Sequence, residues 1–171
     1  MNAQEHIRNA FGRMAHVFAK RPEAARASSV MHARLVDGLR CEAREGDWRF
    51  CIDMPVEGGG GGAGPTPGVH GRAALASCLA IGYGICLARA GIAVRSLEVE
   101  VAVDFDNRGL VGMDGVYPGY LGVRHTLYLD ADASPEQLAP VIAEAQRCSP
   151  YLHVFADPQP LQGSVVYGAR S

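Results

Sequence analysis

The sequence predicts an α+β fold, and three observations carry that prediction. Residues 29–54 hold three short segments of period-two alternation, "VMHARLV", "LRCEAR" and "WRFCIDM", separated by the turn signals "DG" and "EGD". A long Ala- and Gly-rich stretch, 68–90, is apolar on nearly every side and ends at Gly91. Two more alternating segments, 94–106 and 121–132, then lead into a helix start at Ser134. Strands come in runs instead of alternating singly with helices, which argues against a doubly wound parallel sheet.

Taken in order, residues 3–20 form an amphipathic helix, with Ile7, Phe11, Met14 and Phe18 on one stripe and Pro22 as breaker. This extension, residues 1–27, precedes a single domain expected over 28–171. Packing against its own domain is the simpler expectation, against a partner subunit the other. Three antiparallel strands follow. The run "EGGGGGAGPTPG" reads as a surface loop. Its five consecutive glycines lack the Lys-Ser/Thr and the spacing of a phosphate-binding loop. After the central helix and the strand 94–106, "NRGLVGMDGVYPGY" is an irregular connection to the strand 121–132. Ser134, Pro135 and Glu136 then supply an N-cap, an N1 proline and an acidic first turn, and this helix ends near Cys148. "GSVVYGA", 163–169, is predicted to be a last short strand.

The 171 residues suit one domain with a real core. A formal net charge of −2 and near-balanced acids and bases point to no nucleic-acid partner and no anionic membrane surface. The first residues do not read as a secretory signal. The apolar segment near 73–90 is interrupted by Ser77, Gly82, Gly84 and Arg89, so no membrane span is expected. These readings predict a soluble, cytoplasmic protein. The five cysteines (41, 51, 78, 86 and 148) are odd in number and contain no C-x-x-C pair, and with the histidines they show no zinc spacing. No metal and no cofactor is therefore called for.

Cys78 sits in the middle of the central helix. A helix of small residues must be wrapped by sheet, helix or a second subunit, so its surroundings are expected to be apolar and partly dry. Burial alone keeps a thiol unreactive, so a working Cys78 needs a cation nearby. The chain offers one lysine, Lys20, and fifteen arginines, of which Arg40, Arg72 and Arg147 are the candidates. Arg72 lies six residues before Cys78 and points to another face. Cys86 stands about 12 Å along the axis from Cys78, beyond disulfide reach. The bland reading of both Cys78 and Cys148 is two small buried residues.

Residues 29–171 resemble the OsmC/Ohr family, the osmotically inducible and organic-hydroperoxide-resistance proteins. The resemblance rests on "GPTPG…AALASCLA", the Gly-terminated helix, the strand "VRSLEVEVAVDFD", the unit "LYLDADASPEQLAPVIAEAQRCS" and a last strand. It implies an intertwined homodimer in which antiparallel sheets wrap two long central helices, with active sites at the subunit interface. It implies a thiol peroxidase for organic hydroperoxides, acting in oxidative-stress defence. Cys78 would be the peroxidatic thiol, Cys148 the resolving thiol and Arg40 the activating cation. A dithiol donor, such as a lipoylated protein, would be the reductant.

Two positions depart from the family pattern. Active members carry Glu directly after the proline that opens the central helix, ten residues before the reactive cysteine; here that residue is Gly68. The resolving cysteine is normally followed by proline, and here Ser149 intervenes. These departures motivate an alternative: a catalytically weak or inactive dimer that senses redox state or binds an apolar ligand. A Cys-His hydrolase is a third reading, which neither His125 nor His153 supports by position.

Overall fold

A computed structural model describes residues 2–168. Helix α1 spans Ala3–Lys20, capped by the Asn2 side chain, which accepts from the Glu5 N–H. A short 3-10 turn, Pro22–Ala25, follows. Strands β1 (His32–Asp37), β2 (Arg40–Glu45) and β3 (Trp48–Ile52) form an antiparallel three-stranded sheet in that order. The turns between them place Gly38 and Gly46 at φ of 55° and 54°, where glycine is favoured. Helix α2 covers Pro67–Ala90 and stops at Gly91, in the left-handed region at φ 73°. Strand β4 (Val94–Phe105) pairs antiparallel with β5 (Tyr120–Ala131), and the one-turn helix α3 (Asn107–Leu110) lies in the connection. Helices α4 (Pro135–Arg147) and α5 (Pro150–Ala156) complete the fold.

The core is built on one stripe of α2. Leu75, Leu79, Tyr83 and Leu87 recur every four residues and are fully buried. They pack against Leu97, Val99 and Val101 of β4, Leu127 and Leu129 of β5, and Ala145 and Ile142 of α4. The mean hydropathy of α2 reaches 1.6 over eighteen residues, so by length and composition alone it is long and apolar enough to cross a membrane, contrary to the expectation from its interruptions. Its buried stripe is instead the centre of this core. Helix α1 packs along α2, as the simpler expectation had it, and Gln4 Nε2 donates to the Ile92 carbonyl at 2.9 Å.

The three-stranded sheet has no such support. Within it only Ala43 is buried, while Leu35 is 63% and Trp48 74% exposed. The expected last strand is not formed: residues 163–168 carry no regular structure, and residue 169 lies outside the described residues. A strand exists only when an edge accepts it. Neither sheet of this chain takes up this segment, and Val166 and Tyr167 stay 88% and 92% exposed. The short helix α5, with Ser149 as its cap and Pro150 at its start, was not anticipated from the sequence.

The glycine run folds back on Asp53, which is 1% exposed. Its carboxylate accepts the N–H groups of Met54 (2.8 Å), Gly61 (3.1 Å) and Ala63 (3.0 Å). Gly60 and Gly64 allow the close approach: a Cβ there would collide with the carbonyl groups of Met54 and Cys51 respectively. The Ala63 N–H, with those of Met54 and Gly61 and the charge of Arg40, holds the Asp53 carboxyl below its ordinary value against the opposing effect of burial. A depressed carboxylate stabilises the fold above its unfolded value, near 3.8, and loses that contribution as pH falls through the lower folded value. Asp53→Asn puts an amide donor against these donors. Its Tm at pH 7 is expected to fall by on the order of 5–10 °C. The gap to wild type should narrow below pH 4, as read by circular dichroism melts at both ends of the range.

Candidate active site

The face of α2 beside its buried stripe is left partly bare. Ala74, Cys78, Ile81 and Ile85 follow one another along it, and Ile81 is 63% exposed. Helix α4 crosses this face antiparallel. Ser149, next to Cys148 at the end of α4, places its Oγ 3.5 Å from Cys78 Sγ. One turn further along, the side-chain position of Gly82 lies 3.9 Å from the Ala145 carbonyl oxygen.

Between them opens a groove of about 660 Å³. Phe11 of α1, Ile81, Ile85, Pro150 and Tyr151 give it apolar walls, and Cys78, Cys86 and Cys148 all face it. The sequence-predicted pair is thus brought to one cavity. Cys78 is half-buried and Cys148 exposed, and all five cysteines are free thiols.

The surroundings distinguish these thiols. The Cys148 thiol donates to Glu144 Oε1 at 3.4 Å. Glu144 is also held by two Arg147 hydrogen bonds of 2.8 and 2.7 Å. The Arg147 pairing first, and Cys148 next, bring the Glu144 carboxyl down to about 2. Arg147 is therefore held by Glu144, and its charge also acts on the neighbouring Cys148. Burial pushes the Cys86 thiol up; Arg89 opposes this, while Cys148 and Glu144 add to it. Cys86 is held as a neutral thiol, which is a poor nucleophile.

Arg40 does not line the groove. It begins β2, lines a separate cavity with Glu42, Arg49 and Cys51, and acts on Asp53. The guanidinium that does line the groove is Arg89, which the sequence reading passed over as an interruption of the apolar run. Eleven residues separate it from Cys78, about 16 Å along the axis, so it stands near Cys86 and not near Cys78. Sequence reasoning also missed Ser149 as a neighbour of Cys78, and Glu144 as the partner of Cys148. The first was readable: "SP" at 149–150 repeats the N-cap and N1 proline signature of "SP" at 134–135, and Ser149 caps α5 by accepting the Leu152 N–H.

His153 ties α5 to the end of α4. Its Nδ1 lies 2.8 Å from Asp157 Oδ2 and its Nε2 3.0 Å from the Arg147 carbonyl oxygen. Both ring nitrogens can donate only in the imidazolium form. Asp157 first, then the Arg147 carbonyl, raise its pKa above the ordinary 6.5. A raised histidine contributes fully below the unfolded value and loses its contribution as pH rises through the folded one. His153→Phe is expected to lose stability at pH 6 and to approach wild type above pH 8, by a modest few degrees in Tm, measured by melts across that range.

A sequence model of the family described as OsmC-like protein matches residues 59–162, more than half of the chain. A search of curated protein sequences finds no match. Among solved structures, an OsmC-like protein from Mycoplasma pneumoniae superposes with a TM-score of 0.64 at 15% identity, over 75% of this chain and 87% of the other. An OsmC-like protein from Vibrio cholerae gives 0.58 at 11% identity, over 75% and 94%. An organic hydroperoxide resistance protein OsmC from Legionella pneumophila gives 0.51 at 16% identity, over 76% and 90%. At these identities the superpositions speak for the fold. With the family match over the central helix, the strand pair and α4, they make this α+β chain a member of the OsmC-like family.

Proposed function

We propose that the chain is a thiol peroxidase for organic hydroperoxides, working as a homodimer in the cytoplasm. The observation that carries this reading is the shared groove: Cys78 and Cys148 face one apolar cavity, and Cys78 Sγ is 3.5 Å from the hydroxyl of the residue beside Cys148. Family membership and the Legionella neighbour's name connect the fold with peroxide and stress response. Five free thiols suit a reducing compartment.

In the proposed cycle the Cys78 thiolate attacks the terminal oxygen of the hydroperoxide. The O–O bond breaks, an S–O bond forms, and the alcohol leaves after protonation. Cys148 then leaves Glu144, attacks the sulfenic sulfur of Cys78 and expels water, giving a Cys78–Cys148 disulfide. An external dithiol, such as a lipoylated protein, reduces the disulfide by exchange.

Thiolate formation needs a cation, and among the described residues the one arginine lining the groove, Arg89, stands near Cys86 and not near Cys78. Arg40 of a second copy fills that role in this reading. The bare three-stranded sheet and the exposed apolar segment 161–167 support a partner, since both hold large apolar surface uncovered by their own chain. The deciding experiment is treatment with cumene hydroperoxide and disulfide mapping by mass spectrometry. A Cys78–Cys148 peptide should appear within the first turnover, and its absence alongside intact protein sinks the proposal.

The Gly68 departure favours a second reading, a dimer that binds an apolar ligand without turnover. It predicts negligible peroxide consumption together with thermal stabilisation by a hydrophobic ligand.

A further inference from the structure

Helix α1 precedes the residues of the family match, which begin at 59, yet it reaches the thiol groove. Its start is fixed just past the end of α2, where Gln4 Nε2 donates to the Ile92 carbonyl at 2.9 Å. From there α1 runs back along α2. Seven residues later, about 10 Å along its axis, Phe11 comes level with Ile85 and Cys86. Cys78 stands about 10–12 Å further along the same groove.

Among the described residues, Phe11 alone of α1 lines the groove. It is half-buried, whereas Met14 and Phe18, next on the same apolar stripe, are 44% and 37% exposed and stay outside it. The Phe11 ring therefore stands at the end of the groove away from Cys78. The other aromatic wall, Tyr151, follows Ser149 by two residues and belongs to the Cys78 end, since the Ser149 hydroxyl is 3.5 Å from Cys78 Sγ.

A hydroperoxide must bring its terminal oxygen to Cys78. Its alkyl chain then has an apolar path along Ile81 and Ile85 towards Phe11. Each methylene laid on that path leaves water and favours binding by roughly two- to fourfold. An aromatic ring across the path ends the gain, because a longer chain must turn back into water or displace a packed side chain. We infer that Phe11 is a specificity-determining residue, setting the longest alkyl chain that the groove takes from Cys78 at about eight carbons. The inference rests on the thiol-peroxidase reading and names the substrate class within it, n-alkyl hydroperoxides of medium length.

The test uses the full-length protein in its solution assembly and two series of reagents. In the first, kcat/KM is measured for n-butyl, n-octyl and n-dodecyl hydroperoxide with a dithiol donor. Wild type is expected to gain from butyl to octyl and no further at dodecyl. Phe11→Ala should raise the dodecyl-to-octyl ratio by about tenfold or more, and Phe11→Trp should lower the octyl-to-butyl ratio. Phe18→Ala removes a ring from the same helix outside the groove and should leave both ratios as in wild type. In the second series, n-alkyl methanethiosulfonates of the same lengths form a mixed disulfide with Cys78 and release methanesulfinate, with the rate read at the Cys78 peptide by mass spectrometry. The same ratios are expected, and no peroxide chemistry is needed. Inert hydroperoxides beside a Phe11-dependent limit in the second series would sink the peroxidase reading and leave the length limit standing. A wild type that keeps gaining to dodecyl in the second series, a ratio there unchanged by Phe11→Ala, or one moved as far by Phe18→Ala overturns the inference.

Discussion

Cys78→Ser is expected to reduce hydroperoxide consumption by about a thousandfold or more, to the background rate of the other thiols. A serine hydroxyl stays protonated at any working pH and is a far weaker nucleophile towards oxygen than a thiolate. The substitution is nearly isosteric and keeps a hydrogen-bonding partner 3.5 Å from the Ser149 hydroxyl, so the fold should survive. Cys148→Ser separates the two steps. That variant should consume about one equivalent of cumene hydroperoxide and stop, with Cys78 trapped as sulfenic acid and open to further oxidation. Turnover of wild type and Cys78→Ser is followed with a dithiol donor, whereas Cys148→Ser is assayed without added thiol and its sulfenic acid is detected as the dimedone adduct. Full activity in Cys78→Ser protein would move the chemistry to another thiol and end the proposed cycle.

The parts of this fold that were legible in the sequence are those where local chemistry and tertiary packing agree. The "DG" and "EGD" turns fixed the three hairpin-linked strands, and the caps at Ser134 and Gly91 fixed two helix ends within a residue or so. Alternation alone sufficed for β4, because one face of it meets α2. Alternation failed for 163–168, a segment that pairs with neither sheet of its own chain, and alternation alone does not specify whether an edge takes a segment up. Helix α5 was not anticipated, although Ser149 and Pro150 repeat the cap and N1 proline that open α4.

In the site, the pairing of Cys78 with Cys148 came from family resemblance, and both residues line the groove between α2 and α4. What the sequence hid is which charges go where. Glu144 and Arg147 lie one helical turn apart and find each other, which removes Arg147 from the candidate cations and gives Cys148 a carboxylate partner. Arg89 reaches the groove because eleven residues are close to three full turns, a periodicity visible in the sequence once Cys78 is taken as the reference. That the glycine run folds around the carboxylate of Asp53 could not be read without the fold, since the run must double back to reach it.

The chain is expected to sediment as a dimer, at twice its 18.1 kDa, and Ile81→Arg is expected to yield monomer at micromolar concentration. Ile81 stands 63% exposed at the edge of the thiol groove, on the part of that α2 face left bare beside α4. A standard interface buries about 800 Å² per partner, with its apolar core depleted in charge. A guanidinium at the centre of such a core costs enough to dissociate it, because nothing on the apolar face would pair with it. The consequence for chemistry separates assembly from folding. If Arg40 of the second copy supplies the cation for Cys78, the Ile81→Arg monomer should keep its helical signal yet lose rapid peroxide reduction. Arg40→Gln should lose the same activity while remaining dimeric. Analytical ultracentrifugation beside a hydroperoxide assay reads both results. A wild-type monomer with full activity would mean that Cys78 is activated within one chain, where Arg89 lies about 16 Å away and Arg147 is already held by Glu144.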